Sequence, residues 1–365
     1  MILGPNGPIQ IDDKTIILFF ESALFDSSHL ARQSPLNTAR ISLENRSQAV
    51  CVPENWLDNL SGNLDALETE LKALYDTNVV ICLHSNQLLL EGSRDVVDRF
   101  KAIIERYKII LSISVPPSIV DESQGAEYLA SHVHYGSSNG ALLFGMLGPL
   151  VIDELTDIGH VRMYTIAQEK AGNVLMLVHV RRFERLKRLI TDFGLSLNYA
   201  RTVFVGLRQE NVDELLESSP HLNILITLNP DSICRQDRRC LSPSRSLGIL
   251  ERYRKEPKVT IVMSTGCMYK TDLIKFGGQG FKYSMNFLRP DSLQYFESSK
   301  GGKQLIEFNW DPPKLCFIKE EEVVKWVCEI CGFVARSDQV ENYTKHGFTY
   351  CSIACLSEHR KRNFL

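Results

Sequence analysis

Neither sign of charge is in excess: across 365 residues, 41 Lys and Arg stand against 44 Asp and Glu, a formal net charge of -3. No global field therefore recruits nucleic acid or an anionic membrane, and any such binding has to be local. Long apolar runs are missing as well. No stretch approaches the roughly 18 apolar residues of a membrane span. The opening MILGPNGPIQIDD has no basic segment followed by a long apolar run, so no export signal is expected there. The expectation is an intracellular protein, cytoplasmic or nuclear, with no membrane partner. A disulfide scaffold is also disfavoured. The ten cysteines are diluted over a long chain and four of them crowd residues 328 to 365, a distribution that points to metal.

What is present is a globular composition, 44% hydrophobic and 23% charged, sufficient for a large core. Short β-branched runs recur, at residues 15–20, 78–85, 108–115, 141–147, 174–180, 202–207, 223–228 and 259–264. Each is almost continuously apolar, which is the pattern of strands covered on both faces in a parallel sheet. Helical stretches separate them. In RRFERLKRLITDFGLS, for example, Phe183, Leu186, Leu189 and Ile190 share one face and Gly194 is placed to end the helix. About eight βα units over some 280 residues predict an α/β fold, a (β/α)8 TIM barrel. No glycine-rich turn follows the first strand, which removes the best support for a dinucleotide-binding sheet. A further helix is expected around DSLQYFESSKGGKQLIEFN. WDPPKLCFIKEEEVVK then reads as a linker, giving a barrel over 1–312, a linker over 313–325 and a small domain over 326–365.

In that last segment Cys328 and Cys331 form a C-x2-C pair, and Cys351 and Cys355 a C-x3-C pair after a gap of nineteen residues. Two close pairs joined by a short insert are what tetrahedral zinc needs, and four thiolates leave no position for water, so one structural Zn2+ is expected. About 40 residues hold too little core to fold alone, and bound metal would supply most of the folding energy. His346 or His359 is an alternative ligand, and buried reduced cysteines are the plainer reading. YCSIAC resembles the closing half of treble-clef fingers such as the MYND, HIT and TRASH groups. The terminal Arg360-Lys361-Arg362 would suit an acidic surface, or is simply a solvated helix end.

The barrel carries a second resemblance. ILGPNGPIQIDDKTIILFFESAL resembles the opening of the phosphotriesterase family of the amidohydrolase superfamily, where a Gly-Pro-Ile-like segment precedes a strand ending in His-x-His. EGSRDVV is similar to that family's Gly-Arg-Asp helix start, GMLG at 145–148 to its Gly-Glu-Ile-Gly strand end, VLMLVHV to its fifth strand, and IKFGGQGF to its Tyr-Gly-Gly-His-Gly-Tyr segment. The similarity runs in order over about residues 1 to 310. It implies a mouth holding two divalent metals. The strand-one histidines of that centre fall on Phe20 and Ser22, the bridging residue on Met146, the strand-five histidine on His179, the strand-six histidine on Gly206 and the strand-eight aspartate on Gly266. Five of the six positions lack a competent ligand, and a lone imidazole neither holds two cations nor generates a hydroxide nucleophile. The resemblance thus implies a barrel without its inherited metals or mechanism.

Other polar residues remain open. Glu21, His84 and Arg181, with His179, would line a pocket for a small molecule, although a hydrogen-bonded core histidine is the commoner fate of such residues. His132 and His134 have the spacing that shares one face of a strand, but they follow helix-like sequence. CRQDRRCLSPSRS, 234–246, would place Arg235, Arg238, Arg239 and Arg245 on the rim, to dock phosphate or an acidic partner or to be phosphorylated at its serines; an ordinary surface loop is the commoner fate of such a segment. Cys234 and Cys240 are too far apart for a tight metal bite. Three functions compete: an inactive barrel that binds a protein partner, a hydrolase with a reduced or rearranged site, and a nucleic-acid-associated protein acting through the finger and the arginine loop.

Overall fold

The computed structural model describes residues 2–5, 7–9, 15–24, 38–52, 55–60, 64–75, 77–85, 94–116, 119–136, 142–229 and 243–286, with 305, 325–327, 334–336, 343–345, 348–350, 356–357 and 360–361 beyond them. The chain divides into two compact units, Met1–Pro313 and Lys314–Leu365. Among the described residues no helix is long and apolar enough to cross a membrane.

The first unit opens with an antiparallel pair, β1 (Ile2–Gly4) and β2 (Gly7–Ile9). Strand β3 (Ile16–Leu24) follows, then helices α1 (Arg46–Cys51) and α2 (Leu64–Ala73). From there strand and helix alternate: β4 (Val79–Ser85), α3 (Arg94–Ile104), β5 (Lys108–Ile113), α4 (Glu122–Tyr135), β6 (Met146–Ile152), α5 (Ile158–Lys170), β7 (Leu175–Val180), α6 (Phe183–Thr191), β8 (Thr202–Val205), α7 (Gln209–Ser218), β9 (Leu222–Thr227), α8 (Pro243–Tyr253) and β10 (Val259–Ser264). Strands β3 to β10 form one eight-stranded sheet in sequence order with every neighbouring pair parallel, and its two ends, β3 and β10, lie side by side. This is the (β/α)8 barrel that the strand spacing predicts.

Alternation along each strand divides the core in two. Ile17, Phe19, Val80, Cys82, Ile110, Met146, Leu177, Val205 and Val262 belong to an apolar cluster inside the barrel, and Leu18, Ile81, Leu111, Val178, Phe204 and Met263 belong to the layer beneath the helices. Successive strand side chains face opposite sides, so both faces of every strand are apolar, and the sequence shows runs rather than alternation. Leu305 joins the inner cluster, and its carbonyl accepts from Arg201 Nη1 at 2.8 Å; Arg201 directly precedes β8, which puts this contact at the floor.

Two helix starts are fixed by short acids. Asp121 Oδ1 accepts from Gln124 N and Asp157 Oδ1 from His160 N, both at 2.8 Å, caps worth about 1 kcal/mol each. Helix α6 buries Leu186 and Leu189 and rests Phe183 and Ile190 on the core, and Gly194 turns the chain at φ +63°.

Two strands depart from the sequence-based bounds. The fourth barrel strand is Met146–Ile152 and not 141–147, because apolarity continues through both stretches and sets no end point. The first runs on to Leu24 instead of stopping at residue 20, since Glu21 stays buried and finds partners inside. The helix expected near residues 291–309 lies outside the described residues, apart from Leu305. In the second unit, β11 (Lys325–Val327) pairs antiparallel with β12 (Val334–Arg336), and β13 (Tyr343–Lys345) with β14 (Phe348–Tyr350).

Candidate active site at the barrel mouth

Above the inner apolar cluster, the same strand faces turn polar. Continuing the alternation from Phe19, Cys82, Ile110, Leu177, Leu225 and Val262 leads to Glu21, His84, Ser112, His179, Thr227 and Ser264. In a parallel barrel these C-terminal strand ends form the mouth, where this architecture places its chemistry.

His84 is buried, with Nδ1 3.2 Å from Ser112 Oγ. His179 is buried on β7, paired with Val151 on one side and Val205 on the other. Arg181 follows that strand half-buried, its backbone N–H donating to the Ile152 carbonyl at 2.9 Å. Glu21 and His84 stand on neighbouring strands, whereas His179 and Arg181 are three strands away from His84. The side chains of Phe20 and Ser22 lie outside the described residues.

The Glu21 carboxylate does not reach for an open pocket. Its Oε1 accepts from the Ser264 hydroxyl and from the backbone N–H of Thr265 at 2.8 Å and Gly266 at 3.4 Å, and its Oε2 from Cys267 N–H at 3.0 Å. Complete burial pushes its carboxyl up to about 7, against the opposing pull of these four hydrogen bonds.

Two further acids hold the segment after β10, and neither stood out in the sequence. Glu70 on α2 accepts from Ile274 N–H at 2.6 Å and Phe281 N–H at 2.9 Å, and burial, helped by the charge of Asp272, pushes it up to about 7. Asp272 Oδ2 accepts from Met268 and Tyr269 N–H at 2.9 and 3.1 Å. A signal for Glu70 was available: Leu67, Leu71 and Leu74 lie at helical spacing on one stripe, and Glu70 stands on that same buried stripe.

No family model and no curated protein sequence matches the chain. Solved structures do match its fold. A resiniferatoxin-binding protein from Rhodobacter sphaeroides is 18% identical with a TM-score of 0.62, covering 84% of this chain and 94% of its own. The phosphotriesterase homology protein from Escherichia coli, solved with phosphate in its active site, is 13% identical with a TM-score of 0.57, covering 81% and 100%. A lactonase from Listeria monocytogenes is 12% identical with a TM-score of 0.55, covering 84% and 96%. The fold is that of the phosphotriesterase-like barrels. At these identities the likeness is one of fold.

The phosphotriesterase-like architecture invites a test of whether this mouth suits a dinuclear metal centre. Met146, onto which the sequence resemblance puts the bridging residue, packs its thioether into the inner apolar cluster beside Leu175 and Ser112 in register. Gly206 and Gly266 supply no side chain, and the backbone admits none easily. Gly206 has φ +87° and a Cβ there would meet the Val180 carbonyl oxygen at 2.7 Å; Gly266 has φ +73° and a Cβ would meet Thr227 Cγ2 at 2.6 Å and Cβ at 2.8 Å. Among the described residues no three His, Cys, Asp or Glu side chains group as a metal site. The donor set at these positions of the phosphotriesterase-like barrel does not fit two divalent cations.

A direct check is Gly266→Asp, which puts a carboxylate at the strand-eight position. Left-handed backbone and the collision with Thr227 are expected to destabilise the barrel by about 3 kcal/mol, read from the urea midpoint. A variant as stable as the parent that also took up a divalent ion would contradict this.

The remaining sequence candidates fall elsewhere. His132 and His134 sit on helix α4, not on a strand, so a spacing of two turns their rings to different sides. His132 Nδ1 lies 2.7 Å from the Tyr128 carbonyl oxygen and His134 Nε2 3.1 Å from that of Lys170. The expected arginine loop ends early: from Pro243 the chain is helix α8, with proline in its first turn. Arg245 is exposed there, but Ser246 is buried and closed to modification. Arg235, Arg238, Arg239, Cys234 and Cys240 lie outside the described residues. So do Cys328, Cys331, Cys351, Cys355, His346 and His359. Arg360 and Lys361 are exposed.

Proposed function

We propose that this phosphotriesterase-like barrel has lost metal-dependent hydrolysis and serves as a binding or scaffold protein for a protein partner, with a C-terminal zinc-stabilised finger as part of its binding surface. The observation that carries this reading is the state of the mouth: a core-packed Met146, and Gly206 and Gly266 in backbone conformations that resist a ligand side chain. A single imidazole, His179, does not replace that set.

Support for the finger comes from chain order. Cys328 and Cys331 fall in the connection between the antiparallel strands β11 and β12, Cys351 directly follows β14, and β11 and β14 lie close together. Two cysteine pairs that each follow or interrupt a short antiparallel pair suit a four-thiolate zinc site. Its closed coordination makes the ion structural.

Metal content of the purified full chain tests both halves of the proposal. The expectation is about one zinc per chain, lost in a Cys328→Ser/Cys331→Ser double variant. Two or more metals per chain, with some retained in that variant, would restore the hydrolase reading.

A further inference from the structure

Strands β3 and β10 close the barrel side by side, yet they stand at opposite ends of the hydrogen-bonded order, and no ladder pairing joins them among the described residues. What spans this seam is Glu21. Its two oxygens take the Ser264 hydroxyl and the successive N–H groups of Thr265, Gly266 and Cys267. The left-handed turn at Gly266, φ +73°, brings successive N–H groups to one side of the chain, which makes a concave anion-binding nest. The next two N–H groups, of Met268 and Tyr269, point at another carboxylate, that of Asp272. From residue 265 to 269 every backbone N–H is thus directed at a carboxylate oxygen. The nest is itself pinned from behind, because Thr265 Oγ1 donates to the Phe281 carbonyl at 2.9 Å and accepts from Ser284 N–H at 3.2 Å.

We propose that the end of β10 is a built carboxylate-binding site whose resident ligand is the Glu21 side chain, and that a free carboxylate of acetate size occupies it once that side chain is removed. The inference rests on these hydrogen bonds alone and stands whether or not the mouth retains catalysis. The chemical class follows from the donors. One hydroxyl and three N–H groups divide between two oxygens, which suits a planar carboxylate, and full burial leaves room only for what the side chain vacated. Truncation of glutamate to alanine removes the γ-methylene and the carboxylate, the atoms of an acetate ion.

The test is thermal unfolding of full-length Glu21→Ala in chloride, acetate and pivalate at matched ionic strength and pH. In chloride the barrel transition is expected to fall by about 10 °C, because four buried donors lose their acceptor. Acetate is expected to recover most of that loss in a saturable manner in the variant and to leave the parent unmoved. Pivalate, of equal charge but too bulky for the vacated space, is expected to recover none. An unchanged transition in chloride, an equal response of parent and variant, or equal rescue by pivalate would each overturn the proposal. Should the alanine variant fail to fold in chloride, its refolding yield with acetate against pivalate gives the same readout. Glu21→Gln serves as the isosteric companion: an amide that keeps its oxygen toward Thr265 turns its NH2 toward Cys267, so hydrogen exchange is expected to quicken at Cys267 more than at Thr265. Unchanged exchange at both amides would also count against the nest.

Discussion

Cys328→Ser is expected to abolish zinc binding and unfold residues 326–365, leaving the melting of the barrel unit unchanged. Structural zinc in small cysteine sites contributes on the order of 10 kcal/mol of apparent folding free energy, far more than the short antiparallel pairs β11–β12 and β13–β14 supply through three paired residues each. Loss of one thiolate opens the coordination sphere and leaves too little apolar core to compensate. Proteolysis followed by mass spectrometry reads the outcome: cleavage concentrates beyond residue 313 in the variant and is suppressed by zinc in the parent. Equal protection of the two proteins, or a barrel transition that falls together with the tail, would defeat the expectation.

Stability of the barrel is expected to decline as pH rises through neutrality. Glu21 and Glu70 both have carboxyls raised from 4.5 to about 7, by burial first, so the folded protein holds protons that the unfolded chain releases. For an acid shifted upward, the associated stability is complete below the unfolded value of about 4.5 and is lost as pH climbs through the folded value of about 7. Each shift corresponds to about 3 kcal/mol at one pKa unit per 1.4 kcal/mol, an order-of-magnitude figure. Histidines oppose this at the acid end. Burial lowers His132 and His160, so their contribution is present above the ordinary imidazole value and is lost as pH falls below it. The expected profile is a maximum in the mildly acidic range, followed by a limb that falls toward about pH 7 and levels off above it, where both acids are ionised in either state. Urea midpoints from about pH 5.5 to about pH 8.5 measure it, and Glu70→Gln is expected to flatten that limb. A midpoint that stays level or rises over this interval would show that hydrogen bonding outweighs burial at both acids.

The architecture was legible because its cause is local. Strands buried on both faces must be apolar throughout, and all eight appear as apolar runs, seven at the expected places and the fourth displaced toward its C-terminal end. The same cause hides their ends. In ALLFGMLGPLVI apolarity carries on past the expected stop, and only the register beside Ser112 and Leu175 locates β6. Glu21 was visible as a lone acid in an apolar run, but its partners lie more than 240 residues away and are mostly backbone N–H groups, which have no sequence signature. Glu70 is the same case on a helix, since its role depends on where Ile274 and Phe281 return. The glycines at 206 and 266 were visible in the sequence; their positive φ and the crowding by Val180 and Thr227 exist only once the strands are assembled.

That crowding bears on how this molecule relates to hydrolases sharing its shape. A side chain can be added to a right-handed, open turn by one substitution, whereas a left-handed and crowded turn has to move before it accepts one. Single substitutions that put a carboxylate or an imidazole at Gly206 or Gly266 are therefore expected to lower the stability of the barrel before they supply a ligand.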